Sequence, residues 1–171
     1  MIAASLALLA AVPASNSLSA AEIYRYDIQG AAGICQPALS QHAESLRARP
    51  LGLVNEGAGP SFVTCTFRGD PRAGGRGATR LVAHVGNVGS ATANVSCTFV
   101  EGSQLGDQSD AVYRTKSVSM FAGTVGTPLP WEPSEIAGGP ELIYQPAVQC
   151  MLTPGAALHY ITVAYDEDVG A

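Results

Sequence analysis

Hydrophobic and polar residues alternate along several short stretches of the chain with the period of a β-strand. The first such stretch is Glu22–Gln29, in which one side consists of Tyr24, Tyr26 and Ile28 and the other side is charged. Alternation of this kind is typical of a strand whose two faces meet different surroundings. We therefore predict that a first β-strand begins near Glu22.

The most strongly patterned stretch is Thr79–Gly102, in which two runs rich in β-branched residues flank a turn-forming segment. A turn between two such runs predicts a β-hairpin. In the second run Val95, Cys97 and Phe99 share one side and polar residues share the other. This run is predicted to be a strand with one buried face and one solvated face.

Further strand-like runs follow one another along the chain and are separated by residues that favour turns. The first two runs named below are joined by the turn-rich segment Glu56–Pro60, and the last two form a pair around the turn Thr153–Gly155. Proline at both ends of Ala38–Arg49 limits the one helix-like region to two or three turns. The strand-like runs are Leu51–Asn55, Ser61–Phe67, Ala111–Phe121, Thr124–Pro130 (an edge strand), Leu142–Leu152 and Leu158–Tyr165.

About eight or nine short strands at spacings of roughly 8–12 residues are typical of an all-β sandwich. We predict an antiparallel β-sandwich, Ig-like or jelly-roll-like, with at most one short helix. Residues 22–171 form a single domain, because no linker or shift in composition divides them.

Composition narrows the class of protein further. Charged residues make up 13% of the chain, about half of the usual ~25%, and the formal net charge is −5. A neutral, polar surface is common on extracellular β-proteins. A mildly acidic chain has no general electrostatic attraction for nucleic acid, so nucleic acid is not an expected partner.

The N-terminal stretch Met1–Ala21 is interpreted as a signal peptide. A short apolar run, Ile2–Val12, precedes small residues that would suit a cleavage site. This run is too short to span a membrane. The positive charge that usually begins a signal peptide is missing, since the first basic residue is Arg25; a buried N-terminal helix is the alternative. Export predicts a periplasmic or extracellular protein.

The four cysteines of an exported chain are expected to form disulfides. Spacing alone allows three pairings, and we favour Cys35–Cys65 with Cys97–Cys150 because each of these residues lies on, or just beside, a predicted strand. Zinc binding by the four thiols is not expected, because the spacings are wide and no C-x-x-C pair is present.

The segment Leu81–Trp131 resembles the Ig-like modules of bacterial surface and secreted proteins, including the CARDB type. The resemblance comes from Asn87–Ala91 before a strand, a loop, Ser117–Gly123, and an extended run to Trp131. It covers about a third of the chain. The resemblance implies adhesion, spacing or ligand display, and it carries over no catalytic residue. The four cysteines depart from the family pattern.

No catalytic or metal-binding motif is present in the sequence. Neither G-x-S-x-G nor H-E-x-x-H occurs, and His42, His84 and His159 show no spacing that predicts convergence. The acidic residues of Asp107–Asp110 and Asp166–Asp168 lack the ligand density of a calcium loop. We therefore expect a protein that is not an enzyme and that needs no cofactor or metal.

Two features could form a ligand surface. Trp131 lies among prolines and could stack on a sugar ring, although packing against the core is the preferred interpretation. Arg72 and Arg76 belong to a glycine-rich basic loop that could hold an anionic sugar or lipid head group, or could simply aid solubility.

The sequence thus predicts a non-catalytic exported β-sandwich that acts as a surface, binding or structural module. Its partner is unknown and could be a glycan or another surface protein. One alternative is a glycan-binding module that uses Trp131 and nearby tyrosines. The other is a subunit that polymerises by donating the strand Glu22–Gln29 to a neighbouring molecule. Ligand, oligomeric state and sandwich topology are not determined by the sequence.

Overall fold

A computed structural model describes residues 21–66, 77–101, 111–135 and 146–169. These residues form eleven strands, one helical turn and two 3₁₀ turns. The helical turn is α1 (Ala31–Ile34), and the 3₁₀ turns are Ser40–His42 and Pro133–Glu135. The strands are β1 (Glu22–Gly30), β2 (Cys35–Pro37), β3 (Leu46–Arg49), β4 (Gly52–Asn55), β5 (Ser61–Thr66), β6 (Arg80–Asn87), β7 (Ala93–Glu101), β8 (Val112–Met120), β9 (Thr127–Trp131), β10 (Ala147–Leu152) and β11 (Ala156–Asp168).

The strands form two antiparallel sheets that pack face to face. The first sheet has the order β3-β4-β11-β6-β9, with β1 also paired to β11, and the second has the order β2-β5-β10-β7-β8. If β4 to β11 are counted as strands one to eight, the two sheets read 1-8-3-6 and 2-7-4-5. This is the strand order of a jelly roll. The predicted antiparallel β-sandwich is confirmed, and its topology is the jelly-roll alternative.

The core lies between the inward faces of the two sheets. Its largest fully buried side chains include Trp131 from the first sheet and Phe99 from the second, whose ring centroids are 6.0 Å apart. The predicted inward residues of β7 are 0–1% exposed. Burial of this apolar area is the main stabilising contribution to the fold.

Both favoured disulfides are confirmed. Cys35 lies directly opposite Cys65 on β2 and β5, and Cys97 lies directly opposite Cys150 on β7 and β10. In each pair the Cα atoms are 4.0 Å apart. Both bridges therefore join neighbouring strands of the second sheet.

The predicted hairpin of Thr79–Gly102 is wrong, because its two strands lie in different sheets. β6 pairs with β11 and β9, whereas β7 pairs with β10 and β8. The connections β4–β5 and β10–β11 also cross from one sheet to the other. An alternating pattern shows that a strand has a buried face, but it does not show which strand lies beside it. The predicted strands are present near their predicted positions, whereas β2 and β3 were not predicted.

A buried asparagine closes the connection from β6 to β7. Asn87 is 1% exposed, and its Nδ2 donates hydrogen bonds to the carbonyl oxygens of Ala91 (2.7 Å) and Met120 (3.0 Å). Its Oδ1 accepts a hydrogen bond from the backbone N–H of Gly89 at 2.9 Å. One side chain thus satisfies three backbone groups where the chain crosses the sandwich.

The connection from β4 to β5 is closed in the same way. Asn55 is 0% exposed and donates to the carbonyl oxygens of Gly59 (2.8 Å) and Leu152 (2.7 Å). It accepts from the N–H of Gly57 at 2.9 Å. The two asparagines therefore have equivalent structural positions.

The predicted helix within Ala38–Arg49 is wrong. The segment forms the 3₁₀ turn Ser40–His42 and then β3, which pairs with β4. Leu46 is 6% exposed and joins the core, and His42 accepts a hydrogen bond from the N–H of Phe62. These tertiary contacts outweigh the weak helical spacing of the segment. The helix that does form is the single turn Ala31–Ile34.

The strand Glu22–Gln29 was considered as a strand donated to a neighbouring molecule. In the structure it pairs along its whole length with β11 of the same chain, from Glu22 opposite Asp168 to Gly30 opposite Tyr160. That intramolecular pairing contradicts the donated-strand hypothesis.

Candidate ligand-binding face

The outward side of the first sheet carries a group of exposed aromatic and polar side chains. β1 contributes Tyr24, Tyr26 and Ile28, which are 59%, 64% and 56% exposed. β11 contributes Tyr160 and Thr162 from the centre of the sheet. We call this surface the tyrosine face; the cavity on it is about 460 Å³ and is lined by Tyr24, Tyr26, Ile28, Arg80, Val82, His84, Pro128, Tyr160, Thr162 and Ala164.

The strand register explains why these rings are accessible. Tyr26 lies opposite Ala164, and Tyr160 lies opposite Gly30. Because each ring has a very small cross-strand neighbour on one side, no side chain there fills the space beside it. Neighbouring strands are about 4.8 Å apart, so the gaps together form a shallow groove across β1, β11 and β6.

A β-bulge in β11 places His159 and Tyr160 together on the outward side of the sheet. The register of β11 against β6 shifts between Leu158 and Tyr160. Leu158 and Ile161 both point into the core at 0% exposure, so His159 and Tyr160 share the outward side. His159 therefore does not share a face with Ile161, as strict alternation along the strand would require.

Two contacts fix the position of the His159 ring at the bulge. Its Nδ1 is 2.8 Å from the carbonyl oxygen of Leu51, so Nδ1 carries the proton and donates that hydrogen bond. Its ring lies over Gly86, where a Cβ would come within 2.4 Å of Nε2. Only glycine at that position leaves room for the ring.

His84 stacks against Tyr160, with ring centroids 4.3 Å apart. Burial lowers the pKa of His84 below its ordinary value, and the nearby charges of His159 and Arg80 lower it further. The His84 ring is therefore neutral at pH 7, and one of its nitrogens can accept a hydrogen bond while the other donates one. Arg80 beside it is held by an ion pair with Glu132 at 2.8 Å.

The arrangement combines flat rings with directional polar groups. Tyrosine rings offer apolar faces and phenolic O–H groups, and Arg80 and Thr162 add further hydrogen-bonding groups. Within the described residues no group of three or more His, Cys, Asp or Glu side chains is placed to hold a metal ion. The face is therefore suited to holding a ligand through stacking and hydrogen bonds.

Trp131 does not belong to any ligand surface, so the glycan-stacking role suggested for it is wrong. Its side chain is 0% exposed, and its Nε1 donates a hydrogen bond to the carbonyl oxygen of Arg114 at 3.0 Å. The ammonium group of Lys116, the single lysine of the chain, lies 5.9 Å from the ring centroid. Trp131 is a core residue, as the preferred interpretation held.

Other residues that the sequence singled out lie outside the described residues or away from the cavity of the tyrosine face. Arg72 and Arg76 lie outside the described residues. In the acidic C-terminal segment, Glu167 forms an ion pair with Arg25 at 2.8 Å. His42 is buried beside β5, where it stacks on Phe62 with ring centroids 5.5 Å apart.

A second groove, of about 760 Å³, lies at the end of the sandwich where the two asparagine-closed connections meet. Its exposed apolar side chains are Leu51, Val88 and Val125, which are 82%, 62% and 82% exposed. Gly89 and Gly155 approach each other closely at its base. This end groove offers aliphatic surface, with His159 as its one ring among the described residues.

No protein-family model matches this sequence, and no curated protein matches it. Among solved structures, the chain is similar to the family 11 carbohydrate-binding module from Clostridium thermocellum, with 9% identity, a TM-score of 0.38, and 92% of each chain covered. It is also similar to the xylan-binding module CBM15, with 11% identity and a TM-score of 0.36. That match covers 86% of the present chain and 97% of the module.

A third similar structure is a non-crystalline cellulose specific carbohydrate-binding module, CBM28, with 7% identity and a TM-score of 0.35. The match covers 62% of the present chain and 64% of that module. At these scores the likeness carries no inference about what the present chain binds. Among the described residues, no helix has the length and hydropathy needed to cross a membrane.

Proposed function

We propose that the protein is an exported, non-catalytic carbohydrate-binding module whose binding surface is the tyrosine face. The observation that supports this most directly is the presence of Tyr24, Tyr26 and Tyr160 on one outward sheet face beside polar groups. Large exposed aromatic groups on a soluble protein mark interaction sites. Sugar rings have apolar C–H faces and hydroxyl edges, which match tyrosine rings flanked by hydrogen-bonding groups.

The chemistry of the face favours a neutral glycan. Arg80, which lines the cavity, is paired with Glu132, and Arg25, which lies between Tyr24 and Tyr26 in β1, is paired with Glu167. His84 is neutral at pH 7 because its pKa is lowered. A ligand held here would be recognised by stacking and neutral hydrogen bonds. The cavity of about 460 Å³ suits a few sugar units.

Export is supported by the two disulfides, because disulfides persist in oxidising compartments. The proposed signal peptide, Met1–Ala21, lies almost entirely outside the described residues. A display or adhesion role, as implied by the resemblance of Leu81–Trp131 to Ig-like modules, would be compatible with glycan binding and is part of this proposal.

The proposal is tested by measuring binding to a panel of soluble neutral and anionic polysaccharides with wild type and a Tyr24→Ala/Tyr26→Ala variant. We expect binding to a neutral glycan, with a loss of at least about tenfold for each ring removed. Phe121→Ala is the matched control, because Phe121 is an aromatic residue that is 81% exposed outside the tyrosine face. Equal loss in the control, or undiminished binding in the tyrosine variant, would contradict the proposed site.

A further inference from the structure

No strand among the described residues pairs with the edge of β1 that faces away from β11. β1 runs without a bulge from Glu22 to Gly30, and among the described residues it pairs with β11 alone. A strand at a sheet edge presents a row of backbone N–H and C=O groups that can pair with another strand. Nine residues make this a long edge.

No described residue of β1 is buried in the single chain. Its apolar residues include Ile23 at 42%, Tyr26 at 64% and Ile28 at 56% exposure. Proteins usually protect exposed edges with prolines, positive charges or short strands. β1 contains no proline, is nine residues long like β8, and carries its one positive charge, Arg25, two positions from the acidic Asp27.

The other sheet edges carry such protection. β9 contains Pro128 and Pro130, and β8 contains Arg114 and Lys116. β2 and β3 have only three and four residues. Both charges of β8 are positive, whereas β1 carries Arg25 and Asp27 on one face, so that the charges of β1 can be matched by those of a partner strand.

The charges of β1 are complementary to a second copy of the same strand. In an antiparallel pair centred on Tyr26, Arg25 of each copy lies opposite Asp27 of the other, so that two pairs of opposite charges form. The same register places Tyr24 opposite Ile28. The neighbouring registers that keep the tyrosines of both strands on the same side are shifted by two residues. One of them places Arg25 opposite Arg25, and the other places Asp27 opposite Asp27. Like charges opposite each other destabilise a sheet.

The existing contacts of these two residues are compatible with that pairing. The guanidinium group of Arg25 bonds Glu167 through Nε, and a guanidinium group has five N–H donors. Asp27 accepts one hydrogen bond from Gln29 through Oδ2 at 3.0 Å, and a carboxylate can accept several.

We propose that two copies of this protein associate edge to edge through antiparallel pairing of β1 with β1, about a two-fold axis at Tyr26. The pairing joins two six-stranded sheets into one continuous sheet of twelve strands. Residues that lie opposite each other in a sheet point to the same side, and this register places Tyr24 opposite Ile28 and Tyr26 opposite Tyr26. The tyrosine faces of both copies therefore lie on the same side of the joined sheet. This inference does not depend on the identity of any ligand.

The test is a charge-swap series followed by sedimentation of the purified protein over a wide concentration range. Wild type is expected to dimerise reversibly. Arg25→Asp and Asp27→Arg each replace two opposite-charge contacts by two like-charge contacts, and each is expected to raise the dimer dissociation constant by roughly 10- to 30-fold. The double swap, Arg25→Asp/Asp27→Arg, restores opposite charges and is expected to recover most of the affinity.

Glu56→Arg is the matched control, because Glu56 is half-exposed and paired with Arg49 on the β3–β4 hairpin. It is expected to leave dimerisation unchanged. Hydrogen exchange of wild type adds a measurement that needs no variant: β1 amides are expected to exchange more slowly at high protein concentration, and amides of β9 at an equal rate. A monomer at every concentration, single swaps without effect, or a double swap that does not recover affinity would overturn the proposal.

Discussion

Replacing Asn87 by alanine is expected to destabilise the protein strongly. The side chain is 1% exposed, donates to the carbonyl oxygens of Ala91 and Met120, and accepts from Gly89 N–H. Alanine leaves these three backbone groups without that partner. A buried group left unsatisfied costs about 1–3 kcal/mol. The Met120 contact is the buried one of the two donated bonds, and the groups of Ala91 and Gly89 can regain some hydration.

The expected loss is therefore about 3–4 kcal/mol in the free energy of unfolding, out of a typical total of about 5–15 kcal/mol. For a chain of this size that corresponds to a decrease in Tm of roughly 10 °C. Asn87→Asp should cost at least as much at pH 7, since it removes both donors and places a negative charge against two carbonyl oxygens.

The measurement is urea unfolding of wild type, Asn87→Ala and the control Asn94→Ala. Asn94 is exposed on β7, so its replacement should change stability by no more than about 0.5 kcal/mol. A loss in Asn87→Ala as small as that of the control would refute the role of the buried side chain in closing the connection between the sheets. The equivalent position, Asn55, gives an independent repeat of the test.

Three further predictions follow from other parts of the structure. Replacing both Cys97 and Cys150 by alanine should lower the free energy of unfolding by about 4 kcal/mol, because the bridge closes a loop of 53 residues. Denaturant unfolding of this variant and of wild type measures the difference in stability. Gly86→Ala should displace the His159 ring, since the new Cβ would lie 2.4 Å from Nε2. The ring resonances of His159 should therefore shift in NMR spectra while the fold persists. Unchanged resonances would contradict the ring position described above. His84 has a pKa lowered from 6.5 in the folded protein, so that below about pH 6.5 the unfolded chain binds more protons than the folded one. Stability should therefore decrease as pH falls from about 6.5 through the folded pKa. His84→Gln should remove this part of the pH dependence, and an equally steep profile in the variant would show that another group is responsible.

Most of the strands could be predicted from the sequence because they show local alternation, and the disulfides because the cysteines lie on or beside those strands; β2 and β3 are too short to show such a pattern. β7 shows this well, since Val95, Cys97 and Phe99 alternate with polar residues and are buried as predicted. Strand pairing could not be predicted in the same way. A five-residue connection such as that between Asn87 and Ala93 can close a hairpin or cross between two sheets about 10 Å apart.

One sequence signal marks two of the crossing connections, β4–β5 and β6–β7. Asn55 and Asn87 each begin N-x-G, and each lies ten residues before the cysteine of a V-x-C-T-F run, since 65 − 55 and 97 − 87 both equal 10. A polar residue repeated at the end of a strand predicts that its side chain satisfies backbone groups in a turn. The repeat therefore marks two structurally equivalent connections.

The candidate site was only partly visible in the sequence. The alternation of Tyr24 and Tyr26 identified one side of β1 but not whether that side would be covered. Exposure depends on the position of β1 at the sheet edge and on small neighbours such as Ala164, which are properties of the tertiary fold. The sequence places Tyr160 in a strand but does not predict that it points outward beside His159. A bulge next to Tyr160 changes which residues of β11 face outward, and the alternation pattern does not reveal the bulge.

The tyrosine face as a glycan-binding surface is tested most directly by an NMR titration of the protein with the polysaccharide fragment that binds best. The account predicts that the ring resonances of Tyr24, Tyr26 and Tyr160 shift together as ligand is added, with the resonances of the end groove unchanged. Shifts confined to Leu51, Val88 and Val125 in the end groove, with the tyrosine rings unaffected, would contradict it.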